Sequence, residues 1–86
     1  MPTICAFYGI IIQMYWNDHP PSHFHALYAE YEAKFSIETL ETIEGSLPRR
    51  AAALVLEWAQ EHQLELREDW ELCTRNQPLK KIMPLR

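Results

Sequence analysis

The sequence predicts an α+β fold, in which an N-terminal antiparallel sheet of three to four strands packs against one long bent helix or two C-terminal helices. Apolar residues alternate with polar ones in the first half of the chain and recur every three to four residues in the second half. The length of 86 residues and the apolar content of 48% are typical of one domain. We therefore assign residues 1–86 to a single domain, with a sheet over about 4–44, helices over about 46–75 and a tail over 76–86.

The first predicted strand covers residues 8–16, where every second residue is large and apolar or aromatic. A loop over residues 17–22 follows, because this segment collects turn-forming residues. Within it, Pro20 restricts His19 to an extended backbone. We expect this loop to be stiff.

A second strand is predicted over about residues 23–29 and a third over 32–38, joined by a two-residue turn at 30–31 or 31–32. Either turn gives the strands the same facing, whereas a turn of odd length would reverse it. The core face then carries Phe24, Ala26, Tyr28, Phe35 and Ile37. The other face carries His23, His25, Leu27, Ser36 and Glu38. A short extended piece at 41–44 and an edge strand within the tail at 80–85 are further candidates.

The helical part is predicted to begin at Gly45-Ser46-Leu47-Pro48, with Ser46 as the N-cap and Pro48 in the first turn. An unbroken helix to residue 75 would be about 42 Å long, whereas a compact domain of this size is about 31 Å across. We therefore expect a bend near Gln63, or two helices. The predicted apolar stripe consists of Ala51, Leu54, Val55, Trp58, Ala59, His62, Leu66, Trp70 and Cys73.

Charge and cysteine content exclude several classes of protein. The net charge of −4 argues against a general nucleic-acid binder. Residues 1–45 carry −5 and residues 46–86 carry +1, so an anion site is expected in the second half. No apolar run approaches the roughly 20 residues that span a membrane. Cys5 and Cys73 are far apart in the chain, which predicts reduced thiols in a cytoplasmic protein. The first residues lack the cationic and apolar pattern of a secretion leader, so secretion is not expected.

The densest polar cluster lies between residues 18 and 25. His23 and His25 share one strand face and can converge on a single ion, and the proline pair can hold His19 nearby. The sequence thus offers His19, His23 and His25 as metal ligands, and the ions that suit them are Zn or Ni. The fourth ligand stays open between Asp18, Glu38 and His62. Histidines on a wet sheet face also occur without any ligand role.

The same histidines suit acid–base chemistry, because imidazole titrates near neutral pH. His23 and His25 would be the catalytic pair of a small RNA-cleaving enzyme. Such an enzyme needs a cationic phosphate site, for which Arg49 and Arg50 at the start of the helix are the candidates. Alternatively, these arginines form ion pairs with Glu44 or other nearby acids.

A ladder of acids at Glu57, Glu61 and Glu65 follows one helix face at a spacing of four residues. This ladder is either a solvated face or a docking surface for a basic partner. The tail bases Lys80, Lys81 and Arg86 are a further candidate for the same surface.

Several motifs together resemble the family called domain of unknown function 4160, whose members are small, mostly bacterial proteins. They are Met1-Pro2-Thr3-Ile4, the segments 9–15, 17–26 and 31–33, Gly45-Ser46-Leu47-Pro48-Arg49-Arg50, and Leu56-Glu57-Trp58. Members of the family commonly have glycine where this chain has Ala29. The family carries no assigned function, so the resemblance transfers no role to the histidines or arginines. Members are often encoded beside a small protein of domain of unknown function 2442, which implies a toxin–antitoxin-like pair.

Taken together, the sequence favours a cytoplasmic protein that binds a small protein partner, with the neighbouring 2442-family protein as the candidate. A homodimer that buries the far end of the helix is a second expectation, based on the length mismatch alone. The alternatives are an RNA-cleaving enzyme that uses His23 and His25 and a metal-binding protein. An enzyme is not favoured, and no cofactor is predicted apart from Zn or Ni at the histidine cluster.

Overall fold

In the computed structural model, which describes residues 3–16 and 18–85, the described chain forms five strands and then two helices. The strands are β1 (Thr3–Phe7), β2 (Ile10–Gln13), β3 (His23–Tyr28), β4 (Tyr31–Ser36) and β5 (Thr42–Ser46). The helices are α1 (Arg49–Glu61) and α2 (Gln63–Thr74). The strands form one antiparallel sheet in the order of the chain. The predicted α+β class is confirmed, with one strand more than the three to four predicted.

The predicted first strand over residues 8–16 is wrong in its start. Tyr8 and Gly9 form a hairpin turn between β1 and β2, with φ of 49° and 80°. Positive φ at both positions gives a tight hairpin the twist of its strands, and glycine adopts such a conformation without steric cost. The chain therefore reverses at Gly9, and β1 is an additional strand.

The extended piece predicted at 41–44 is a full strand, β5, which pairs with β4. Its Gly45 has φ of 76°, and a Cβ there would lie 2.2 Å from the Glu32 carbonyl oxygen. Only glycine permits this close approach of two backbones. Because Ser46 belongs to β5, its predicted role as N-cap is wrong. The N-cap of α1 is Pro48, with no side-chain capping bond.

The predicted facing of β3 and β4 agrees with the observed register, in which Phe24 lies opposite Phe35. The turn itself is at Ala29-Glu30, one residue earlier than predicted. Ala29 has φ of 52°, in the left-handed region that glycine occupies more easily. The facing survives the shift because the turn keeps two residues.

The core lies between the apolar face of the sheet and α1. Trp58 is fully buried, and its ring is 5.5 Å from that of Phe7 and 6.0 Å from that of Phe24. The helical stripe is buried or half-buried as predicted. Helix α1 ends at Glu61 and α2 begins at Gln63, which confirms the predicted break. The molecule measures 33 × 25 × 22 Å, so the length mismatch that motivated a homodimer disappears.

The tail does not form the predicted edge strand. Among the described residues it is joined to β1 by one backbone hydrogen bond, from the Ile82 N–H to the Ile4 carbonyl, and by the Lys81 ammonium group, which donates to the Thr3 carbonyl over 2.8 Å. Pro84 has no N–H to continue such a ladder. The tail is instead anchored from the core, because the Trp58 indole N–H donates to the Met83 carbonyl over 2.8 Å. In the described part of the chain, neither helix has the length and apolar character needed to cross a membrane.

Candidate functional site

Two histidines are buried on the face of β3 that points away from α1. His23 is 5% exposed and His25 is 3% exposed, although they alternate with core residues and so lie on the opposite face. Imidazole is seldom buried to this degree without hydrogen-bond partners. The partners of these rings therefore define the site.

Asp18 brings the two rings together. Its Oδ2 atom lies 2.9 Å from His23 Nε2 and 3.3 Å from His25 Nε2. Its Oδ1 atom accepts the backbone N–H of His19 over 2.9 Å. The loop after β2 thus places one carboxylate oxygen between two ring nitrogens. We call Asp18, His23 and His25 the Asp–His cluster.

The outer nitrogen of each ring is held as well. His23 Nδ1 lies 2.8 Å from the Pro21 carbonyl oxygen, and His25 Nδ1 lies 3.3 Å from Glu32 Oε2. Both outer partners are oxygen acceptors, and in the tautomer that carries its proton on Nδ1 each ring donates to its outer partner. In that tautomer the lone pair of each Nε2 faces the Asp18 carboxylate, so a cation among these atoms would meet two nitrogen lone pairs and one carboxylate oxygen. In the other tautomer Nε2 donates to Asp18.

The carboxylate of Asp18 is kept ionised by its neighbours. Burial by itself would raise its pKa, but the hydrogen bonds from the His25 side chain and the His19 backbone N–H, together with the nearby His23, outweigh that effect. The pKa of Asp18 consequently lies below its usual value of 3.8. At neutral pH this group is an anionic oxygen donor.

Two aromatic rings flank the Asp–His cluster. The Tyr15 ring lies 4.1 Å from that of His25, and the Trp70 ring lies 5.2 Å from that of His23. A cleft of about 280 Å³ opens between them and is lined by Tyr15, Asp18, Trp70, Cys73 and Thr74. Asp18 belongs both to the cluster and to the cleft, so the cluster has access to solvent there.

A polar row crosses all five strands beside the cluster. Its members lie opposite one another in the register: Thr3, Gln13, His25, Lys34 and Glu44. The Tyr15 hydroxyl donates to Gln13 Oε1 over 3.2 Å, and Gln13 Nε2 donates to Thr3 Oγ1 over 3.2 Å. These bonds hold Tyr15 above the row and against His25.

The other predicted ligands are elsewhere. His19 is exposed, and its side chain is not part of the group of donor atoms that converge in the described residues. Glu38 accepts two hydrogen bonds of 3.1 Å from Arg67. His62 Nδ1 lies 2.6 Å from Glu65 Oε1. Of the three candidates left open for the last ligand, the structure therefore brings Asp18 to His23 and His25.

The arginine pair does not meet the histidines. Arg49 and Arg50 are exposed at the start of α1, and Arg50 lines a small cleft with Tyr28. Tyr28 lies five residues along β3 from His23, which is about 17 Å in a strand, and on the other face. Acid–base cleavage of RNA by His23 and His25 with a phosphate on these arginines would need a substrate that spans the sheet.

The acidic ladder is divided by the break at His62. Glu57 and Glu61 lie on α1 and line a groove of about 470 Å³ with the tail residues Met83, Pro84 and Leu85. Glu65 lies on α2 and is engaged by His62. The predicted partner surface is thus a groove with two carboxylates and an apolar wall.

Sequence reasoning missed the roles of Glu32, Tyr15 and Trp70. Glu32 is two residues from the position opposite His25, and such diagonal neighbours in a sheet are within reach of each other. The predicted turns at 30–31 or 31–32 place Ser36 or Glu38 opposite His25, so only the observed register, with its turn at Ala29-Glu30, indicates the role of Glu32. Tyr15 and Trp70 gave no signal, because their positions depend on the loop after β2 and on the direction of α2.

Comparison with known proteins gives one positive result. The family model described as Domain of unknown function (DUF4160) matches residues 9–71 of the 86. Comparison with curated proteins and with solved structures gave no match. The matched segment contains the whole Asp–His cluster, the hairpin of β3 and β4, and most of both helices. Because it covers more than half of the chain, this protein belongs to the DUF4160 family.

Proposed function

We propose that the protein binds a divalent transition-metal ion, such as Zn²⁺ or Ni²⁺, through Asp18, His23 and His25. One observation carries this proposal: both Nε2 atoms face one carboxylate oxygen, while both Nδ1 atoms lie within 3.3 Å of oxygen acceptors. Histidines that ligate metals almost always donate the other ring N–H to a carboxylate or carbonyl. In the tautomer with that arrangement, the two Nε2 lone pairs are free to bind an ion that Asp18 also ligates.

The distances support the same function. A tetrahedral site with metal–ligand bonds of 2.0–2.1 Å has ligand atoms about 3.3 Å apart. The two distances to Asp18 Oδ2 are 2.9 and 3.3 Å. All three donor atoms lie within 4.8 Å of one another. Small shifts of the rings are enough to admit an ion, and two imidazoles with one carboxylate suit Zn and Ni.

The test is a calorimetric titration of metal-free protein with Zn²⁺ and Ni²⁺. We expect one ion per chain for the wild type. His23→Ala and Asp18→Asn should lose about a hundredfold or more in affinity, because the first removes a donor atom and the second replaces an anionic oxygen with a neutral amide oxygen. Circular dichroism of each variant checks that it remains folded.

His62→Ala is the matched control, since His62 also contacts a carboxylate but lies outside the cluster. Its affinity should equal that of the wild type. His19→Ala tests the third ligand predicted from the sequence, and we expect little change because His19 is exposed. Wild-type affinity in folded Asp18→Asn and His23→Ala would contradict the proposal.

A second function, binding of a basic protein partner, is supported by the groove between α1 and the tail. Glu57 and Glu61 are exposed there, and Met83 is 63% exposed beside them. Carboxylates next to an apolar wall suit a partner segment that carries both basic and apolar side chains. The 2442-family protein expected to be encoded nearby is the candidate to test.

Co-expression with that protein and affinity purification tests this second function. The double variant Glu57→Lys/Glu61→Lys should lose the partner. The control Glu41→Lys changes an exposed acid that does not line the groove, and it should keep the partner. Equal recovery of the partner with all three proteins would exclude the groove as the binding surface.

A further inference from the structure

The Asp–His cluster supplies three donor groups, one fewer than a closed structural zinc site. Within residues 3–16 and 18–85, the group of donor atoms that converge is limited to Asp18, His23 and His25. Structural zinc sites have four protein ligands, whereas sites with three keep a coordination position for a molecule from solution. A metal ion held by this cluster therefore has an open position.

The open position has a direction, because Asp18 forms part of the cleft wall while Glu32 and the Pro21 carbonyl occupy the outer sides of the rings. The cleft volume of about 280 Å³ is far larger than the roughly 30 Å³ that one water occupies in the liquid. The cleft accordingly has room for a small organic molecule as well as for water.

The charge and the aromatic side chains of the cleft indicate which class of small molecule it would bind. A divalent ion with one carboxylate and two neutral imidazoles as ligands carries a net charge of +1. The Glu32 carboxylate lies 3.3 Å from His25 Nδ1 but outside the cleft, where Asp18 is the one charged side chain among the described lining residues. The loaded site thus attracts an anion. Tyr15 and Trp70 offer aromatic surfaces on the two histidine sides of the cleft. Flat rings pack favourably against such surfaces.

Building on the proposed metal site, we infer that its open position binds the carboxylate of a small molecule whose flat, apolar ring lies between Tyr15 and Trp70. The metal ion holds the carboxylate oxygen, and the aromatic walls select the attached group. The Thr74 hydroxyl lines the cleft and donates its own proton to the Glu71 carbonyl over 2.7 Å, so its oxygen is free to accept a hydrogen bond from a substituent on such a ring.

The experiment uses Co²⁺ in place of Zn²⁺, since the visible absorption of Co²⁺ reports changes among its ligands. Benzoate and acetate serve as the probe anions. We expect both to change the spectrum, with benzoate binding about tenfold more tightly because its ring packs against the aromatic walls. In Trp70→Ala the preference for benzoate should shrink while the affinity for Co²⁺ stays the same.

The outcomes separate this inference from the proposed function. If Co²⁺ binds but neither anion changes the spectrum, or if both anions bind equally, the inference is wrong and the metal site stands. An intense near-ultraviolet thiolate band that Cys73→Ser removes would show that Cys73 closes the site, which also overturns the inference. Failure to bind Co²⁺ at all would overturn both.

Discussion

The two faces of β3 are both buried, but they are filled in opposite ways. On one face Phe24 is fully buried and stacks on Phe35, with ring centroids 5.5 Å apart. On the other face His23 and His25 are almost as buried, yet each nitrogen of each ring meets an oxygen. One strand thus carries an apolar surface closed by packing and a polar surface built from ring nitrogens and the oxygens that face them.

This difference shows that the two faces of the strand are stabilised by different interactions. The apolar face is stabilised by buried area and close packing, which do not depend on metal ions. The polar face is stabilised only when its acceptors are matched, because an unmatched buried polar group is costly. We therefore expect substitutions on the first face to change stability equally with and without metal ions. Substitutions on the second face should change how stability responds to metal ions.

The largest effect is expected on the apolar face. Phe24→Ala removes a fully buried ring that contacts Phe35 and Trp58 and should lower the free energy of unfolding by about 3–5 kcal/mol. Urea denaturation followed by circular dichroism measures it. A loss below about 1 kcal/mol would show that this face collapses around the gap, contrary to our view of a closely packed core.

The next effect is the response of stability to metal. At a Zn²⁺ concentration about a hundredfold above the dissociation constant, the wild type should gain about 2.7 kcal/mol. Phe24→Ala should gain the same amount from its lower starting point, whereas Asp18→Asn, with its affinity a hundredfold or more lower, should gain at most about 0.4 kcal/mol. Thermal melting with and without Zn²⁺ measures all three. An equal gain in Asp18→Asn would remove the contrast between the two faces.

A smaller effect is expected at Glu32, which positions His25 without reaching the cluster's centre. Glu32→Gln weakens the acceptor for His25 Nδ1 and should reduce metal affinity about 10–100-fold. Glu30→Gln, in the exposed turn of the same hairpin, is the control and should have no effect. Calorimetric titration measures both. If the two variants behave alike, Glu32 is a surface residue with no role in the site.

The smallest effect concerns Asp69, a buried carboxyl that lacks the full set of partners found at the cluster. Its Oδ1 accepts the Lys80 N–H over 3.0 Å, while Oδ2 has no partner among the described residues. Burial raises the pKa of Asp69 above its usual 3.8. The folded state thus holds this proton more tightly than the unfolded state does, so stability falls as pH rises from about 4 through the raised pKa.

Asp69→Asn removes this titration and keeps an oxygen for the Lys80 N–H. The decline of unfolding free energy with rising pH should therefore be shallower in Asp69→Asn than in the wild type. Urea denaturation at a series of pH values compares the two slopes. Parallel curves would mean that Asp69 does not contribute to the pH dependence.

The parts of the fold that alternate or repeat could be predicted, since periodicity survives small errors of register. The facing of Phe24 and His23 was right although the turn was one residue off, because both turns have two residues. Strand β5 was predicted as a short extended piece at 41–44 and not as a full strand, since all five of its residues are exposed and Ile43 is the one large apolar side chain among them. It is held by backbone pairing with β4, which gives no alternating pattern in the sequence.

Within the site, the convergence of His23 and His25 followed from their spacing on a strand. The choice of Asp18 over Glu38 and His62 did not, because each alternative has a partner that lies far away in sequence or on another turn of helix. Glu38 meets Arg67, and His62 meets Glu65. Such choices depend on how loops and helices pack, which the local pattern does not encode.

Because the two helices meet at His62, the position of Trp70 depends on the number of residues between them. Helix α1 keeps Trp58 in the core, and after the break α2 redirects the same stripe so that Trp70 reaches His23. A helix turns about 100° per residue. One residue inserted after His62 would therefore carry Trp70 away from His23 and uncover the cluster. The same rotation would move Leu66 and Cys73, the residues of α2 that are buried in the core, while Trp58 stayed in place.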